Sequence, residues 1–192
     1  MVKKEDNLHK RLFVAIDIPE HIKKYLYETT DSLFSKDKEI RKIPYSNIHI
    51  TLKFLGNVNL NKIEKIKNAI KETANNFCCF DYKIVNGLGA FPSFRSARII
   101  FAEIKNGSDK IIEIYDKLED NFSKIKIRKE KRKFIPHITI ARIKRSKNIE
   151  NLVKNIKLDL ADAIKCCKLT LFESRLRPGG AEYIIIEEFS LK

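Results

Sequence analysis

Two short stretches of this 192-residue chain carry the same chemistry in the same order, His49-Ile50-Thr51-Leu52 and His137-Ile138-Thr139-Ile140. In an extended chain, residues two apart share a face. Each histidine then points the same way as its threonine, while Ile50 and Leu52, or Ile138 and Ile140, point the other way and can be buried. Imidazole titrates near about 6.5, so of two facing rings one can be neutral and the other protonated close to neutral pH. The neutral ring takes a proton from an attacking nucleophile; the charged ring gives one to a leaving oxygen. In-line displacement at phosphorus needs those two groups on opposite sides. The hydroxyls of Thr51 and Thr139, with a nearby cation, would hold the non-bridging oxygens, whose charge rises in the transition state. Arg142, five residues after His137, is the candidate cation. Its odd strand offset requires a bend or bulge to turn it toward the same side.

A lone His-x-Thr in a strand is ordinarily a packed side chain, so weight rests on its surroundings, and these repeat. Arg11–Ile16 resembles Arg98–Glu103, both reading as strands. Helical patterns follow each, at Pro19–Phe34 and Ser108–Phe122, with Leu26 and Leu33 answered by Ile114 and Leu118. After each His-x-Thr strand comes a second helical pattern, about 61–75 and about 149–165, then a cysteine pair and another strand, Phe80–Leu88 or Lys168–Arg175. His49 to Cys78 and His137 to Cys166 both span 29 positions. This reads as an internal duplication of a strand-helix-strand-helix-strand unit. The expected class is α+β and bilobal: two pseudo-symmetric lobes of mainly antiparallel sheet with outer helices around a central groove. Residues 1–192 form one domain in this reading. Ala181–Leu191 adds a strand that can pair with Lys168–Arg175 through the turn Arg177-Pro178-Gly179-Gly180. No Gly-rich phosphate loop follows any strand, so neither a dinucleotide fingerprint nor a P-loop is present.

Composition narrows the partners. The formal net charge is +14, which draws polyanions to the surface: nucleic acid, an anionic membrane, or neither if the lysines merely solvate helices. The run Lys124–Lys133 reads equally as a basic arm tracking RNA phosphates or as a solvated loop. No stretch is long enough to span a bilayer and the first residues lack an apolar signal core, so a cytoplasmic protein with reduced thiols is expected. The cysteines form adjacent pairs, Cys78-Cys79 and Cys166-Cys167, without metal-knuckle spacing. They are read as small buried residues; a disulfide would fit a hyperthermophilic source. His9, in a polar tail, and His21, at a helix start, have no repeat partner and are read as surface residues.

Taken in order, RLFVAIDIPE at 11–20, NIHITLKFLG at 47–56, GLGAFPSFRSARIIFAEI at 87–104, FIPHITIAR at 134–142 and LFESRLRPGGAEY at 171–183 resemble the 2H phosphoesterase superfamily. Within it, they are most similar to the bacterial and archaeal RNA 2′,3′-cyclic phosphodiesterases, historically called 2′-5′ RNA ligases. The resemblance covers nearly the whole chain. It implies a bilobal fold with a basic groove and no metal or other cofactor. It implies hydrolysis of RNA 2′,3′-cyclic phosphate ends, tRNA fragments among them, to 2′-phosphomonoesters. By resemblance His49 is the proton donor to the 3′-oxygen and His137 the base that activates water, with Thr51, Thr139 and Arg142 on the phosphate. The repeat itself treats the two histidines alike. A reverse 2′-5′ joining to a 5′-hydroxyl is also implied, and a monomer is expected. Phe13 is open between base stacking and core. Two other functions stay in view: a non-catalytic RNA-binding module using only the basic groove, and a 2H enzyme acting on another small cyclic phosphodiester.

Overall fold

A computed structural model describes residues 8–158, 160 and 162–192. Its elements in chain order are β1 (His9–Asp17), α1 (Glu20–Phe34), β2 (Ile40–Lys42), β3 (His49–Asn59), α2 (Ile63–Ala74), β4 (Phe80–Tyr82), β5 (Ile84–Phe91), β6 (Ala97–Ile104), α3 (Ser108–Lys124), β7 (His137–Lys147), α4 (Glu150–Val153), β8 (Ile164–Cys166), β9 (Lys168–Arg177) and β10 (Gly180–Ser190). They build two four-stranded sheets, ordered β10-β9-β1-β3 and β2-β7-β6-β5, and a small ribbon, β4-β8. The paired strands run antiparallel. The fold is thus α+β, as the alternating strand and helix patterns imply.

Alternation in the strands sorts residues between two faces. Leu12, Val14 and Ile16 of β1 join Ile50 and Leu52 of β3 in the main core. Phe13 and Ala15 turn the other way, where they pack with Phe172 and Tyr183 in a second, smaller cluster. Phe13 is only 1% exposed, which removes it as a base-stacking platform. The helices bury single stripes: Ile22, Leu26 and Phe34 in α1; Ile66 and Ile70 in α2; Ile111, Ile114, Leu118 and Phe122 in α3. Leu33, expected on the α1 stripe, is instead exposed, because Phe34 completes the i, i+4 row from Ile22 and Leu26.

Each sheet draws on both halves of the sequence. β5, from the first half, forms an edge of the sheet containing β6 and β7; β9 and β10, from the second, complete the sheet containing β1 and β3. β2 also crosses, pairing with β7 at Ile40↔Ile143. The expected hairpin forms as β9-β10.

Three further expectations need correction. The helix expected over about 149–165, part of which lies outside the described residues, is one turn, Glu150–Val153. Beyond it Ile156, Leu158 and Leu160 recur at every second residue, a period that suits extended chain better than helix, and they lie against the core. His9 opens β1 instead of sitting in a tail, though it is exposed, as is His21. The cysteines are neither all reduced nor all buried. Cys79 and Cys167 form a disulfide with Cα atoms 4.5 Å apart, Cys166 is a buried thiol and Cys78 an exposed one. The cause is β4-β8 pairing: Phe80 lies opposite Cys166, so Cys79 and Cys167 meet one step beyond it. Burial pushes the Cys166 thiol up to about 12, leaving it protonated and unreactive.

Candidate active site

β3 and β7 bring the two histidines to the groove between the sheets by the same local device. The Nδ1–H of His49 donates to the carbonyl of Asn47 at 2.8 Å, and that of His137 to the carbonyl of Ile135 at 2.7 Å. A carbonyl only accepts, so this contact places the neutral ring's proton on Nδ1 and leaves Nε2 as the working atom. Asn47 is itself held, its side-chain amide donating to the Ala181 carbonyl on β10 at 2.6 Å.

Both rings rest on aromatic floors. His49 lies 5.0 Å from Phe13 and 5.4 Å from Tyr183; His137 lies 5.1 Å from both Phe91 and Phe101. These floors exclude water from one side of each ring and disfavour the imidazolium. Burial lowers the His49 pKa to about 4, against a smaller opposing pull from the Asn47 carbonyl and Asp17; the charges of Lys23 and His137 lower it further. His137 is lowered too, chiefly by burial and also by the Arg142 charge, with the Ile135 carbonyl opposing. The two sites are not equivalent. Thr51 Oγ1 lies 2.7 Å from His49 Nε2, whereas His137 Nε2 has no hydrogen-bond partner among the described residues.

A pair of bulges turns the phosphate-binding candidates inward. On β3, Val14↔Lys53 is followed by Ala15↔Thr51, so Leu52 is the extra residue. On β7, Ile100↔Ala141 is followed by Phe101↔Thr139, so Ile140 is extra. An extra residue restores the face that an odd offset would lose. Thr139 and Arg142 therefore face the groove together, and so do Thr51 and Phe54. Phe54, 63% exposed, holds on β3 the place that Arg142 holds on β7.

Two cavities meet here. One, of about 190 Å³, is lined by His49 and also by Arg41, Lys42 and Tyr183. The other, of about 580 Å³, is lined by His137 and also by Arg98, Arg132, Lys133 and Phe134. Thr51, Phe54, Thr139 and Arg142 belong to both. All five residues singled out in the sequence thus come together. Arg41 and Tyr183 were not singled out. Tyr183 lies within the LFESRLRPGGAEY segment, but Arg41 has no motif and reaches the groove only because β2 pairs with β7. Among the described residues, no group of three or more His, Cys, Asp and Glu is arranged to hold a metal ion, and no helix is long and apolar enough to cross a membrane.

The RNA 2′,3′-cyclic phosphodiesterase of Methanocaldococcus jannaschii is 31% identical over 184 residues, covering 93% of this chain and 99% of that one. That of Methanothermobacter thermautotrophicus is 28% identical over 184 residues, covering 94% and 98%. Among solved structures, TT0787 of Thermus thermophilus superposes with a TM-score of 0.79 at 24% identity, covering 94% of this chain and 97% of that one. E. coli LigT in apo form gives 0.80 at 21%, covering 96% and 99%; both likenesses speak to the fold. The family model of the 2′-5′ RNA ligase superfamily matches residues 19–176, more than half of the sequence, and the chain belongs to that superfamily.

Proposed function

We propose that this chain is an RNA 2′,3′-cyclic phosphodiesterase that opens the cyclic phosphate to a 2′-phosphomonoester, with His49 and His137 as acid and base. The observation that carries the reading is the pair of matched His/Thr sites lining two cavities that meet at Arg142. Relatives that cover nearly all of the chain carry the same activity in their names.

In this mechanism the cyclic phosphodiester anion lies between Thr51 and Thr139, its non-bridging oxygens held by their hydroxyls and by Arg142. His137 Nε2 takes a proton from water. The water oxygen bonds to phosphorus opposite the 3′-oxygen, the phosphorus–O3′ bond breaks, and His49 delivers a proton to O3′. The products are a 2′-phosphate and a 3′-hydroxyl, and no metal is needed to balance the step. With a 5′-hydroxyl in place of water, the same residues join two RNAs through a 2′-5′ bond. Every residue in this scheme comes from one chain, so a monomer suffices.

The test is hydrolysis of a nucleoside 2′,3′-cyclic phosphate in EDTA, with the product identified as 2′- or 3′-phosphate. The expected product is the 2′-phosphate. Undiminished turnover by both His49→Ala and His137→Ala would refute the mechanism.

A further inference from the structure

For hydrolysis, the nucleophile at His137 is one water molecule, whose share of liquid volume is about 30 Å³. The cavity at His137, about 580 Å³, is far larger than one water needs. Its walls suit neither bulk water nor a purely apolar guest. Arg98, Arg132 and Lys133 line it, and among the described residues none of the three has a carboxylate within ion-pair distance, although the Arg132 charge helps to lower Glu130. Many other cations on this surface are paired: Lys10 with Glu173, Lys67 with Glu64 and Glu187, Lys168 with Glu188. Phe91 and Phe134 add aromatic faces to the same walls. Unpaired cations interleaved with rings match a single-stranded nucleic acid, whose phosphates and bases alternate in the same way.

The wall is also built to stay in place. Residues 127–136 form an irregular strap along α3. The buried pair Lys53–Glu119 anchors it: Lys53 Nζ lies 2.5 Å from Glu119 and donates to the Arg128 carbonyl at 2.9 Å, while Glu119 accepts the Glu130 N–H at 2.7 Å. Phe134 stacks on Tyr115 of α3 at 4.2 Å. Glu130 also lines the cavity, but its carboxylate accepts from the backbone N–H groups of Lys131 and Arg132.

We infer that this groove is the acceptor site, binding the RNA that brings a 5′-hydroxyl to His137, with its phosphates on Arg98, Arg132 and Lys133. The inference rests on the roles proposed above. If O3′ leaves toward His49, the cyclic nucleoside occupies the His49 cavity, and in-line geometry puts the incoming oxygen on the other side. In the joining step the 5′-oxygen bonds to phosphorus, the phosphorus–O3′ bond breaks, His137 takes the 5′-hydroxyl proton and His49 protonates O3′.

The test compares two reactions of the full chain. One is hydrolysis of a nucleoside 2′,3′-cyclic phosphate, which needs no acceptor. The other is joining of a cyclic-ended oligoribonucleotide to a 5′-hydroxyl oligoribonucleotide at subsaturating acceptor. Arg132→Ala/Lys133→Ala, and separately Arg98→Ala, should hydrolyse the nucleoside substrate within about twofold of the parent. Joining should fall about tenfold for each phosphate-binding cation removed. The salt slope of acceptor KM should drop by about 0.7 for each of the same cations. Retained nucleoside hydrolysis shows in the same experiment that the variants are folded. The inference is overturned if the parent shows no saturable dependence on the acceptor. It is also overturned if the variants lose hydrolysis of a cyclic-ended oligomer as severely as joining, since the groove would then hold the cyclic strand. Failure of the parent to open the nucleoside cyclic phosphate would instead remove the proposed function.

Discussion

A general acid must carry its proton before the reaction, yet burial on Phe13 and Tyr183 lowers His49 to about 4. At pH 7 about one free molecule in a thousand would then hold that proton. The substrate supplies the missing charge. A cyclic phosphodiester is a monoanion across the working range, and at about 4 Å, with an effective dielectric constant of about 20, it stabilises the imidazolium by about 4 kcal/mol. That equals about 3 pKa units, of which the Arg142 cation cancels part, so bound His49 rises to between about 6 and 7. The pH dependence of kcat/KM reports the free enzyme and that of kcat the complex. With both histidines lowered, the alkaline limb of kcat/KM should fall below about 6.5, while that of kcat should lie higher. Steady-state rates on a nucleoside 2′,3′-cyclic phosphate from pH 4 to 9 at constant ionic strength measure both limbs. Coincident limbs would show that the bound phosphate does not recharge His49, and the reasoning would fail.

Other outcomes follow from the same geometry. The folded state should lose stability as pH falls from about 6.5 toward about 4. His49 resists protonation there while the unfolded chain accepts it, a difference of up to about 3 kcal/mol that is absent in His49→Gln and readable as a urea midpoint difference between pH 7 and 4.5. Arg142→Lys should lower kcat/KM by about tenfold or more with little change in Tm, because the bidentate guanidinium fork is lost while an exposed side chain contributes little to folding. Gly89→Ala should cost about 1–3 kcal/mol and reduce kcat, since a Cβ there would meet the Phe101 ring under His137 at 2.3 Å; a thermal melt and a rate measurement check both. Glu119→Gln should destabilise the fold by about 3–5 kcal/mol by stranding the buried Lys53 charge, and Lys53→Met in the same chain should recover much of that loss.

What the sequence revealed of the site was the part written in short range. His49 with Thr51, and His137 with Thr139, could be set on one face from strand periodicity alone, and the odd offset of Arg142 required the bulge that Ile140 provides. The hairpin of β9 and β10 was legible in its Pro-Gly-Gly turn. What was hidden depends on pairing between distant segments. The overlay of Arg11–Ile16 on Arg98–Glu103 is off by one residue: Ala15 lies opposite Thr51 and Phe101 opposite Thr139, a slip that exchanges faces and puts Phe13 beneath His49. The Cys79–Cys167 disulfide needs the β4-β8 register, and Arg41 reaches the groove through β2-β7, neither of which local patterning encodes. The missing helix after Glu150–Val153 was lost because 149–165 carries apolar residues that satisfy both a helical and an extended period.

The crossing of β5, β9 and β10 between sheets constrains how such a protein can have arisen. A half-length ancestor containing only the first repeat would have lacked β9 beside β1 and left β5 without β6, exposing unpaired edges. Such a chain completes both sheets only by exchanging its last strand with a second copy about a two-fold axis. Its groove would hold one histidine from each copy, so the site would exist only in the dimer. If the two halves descend from one repeat, their fusion would make the second histidine a matter of covalent chain instead of concentration. It would also free the two walls to diverge, with Phe54 on one and Arg142 on the other.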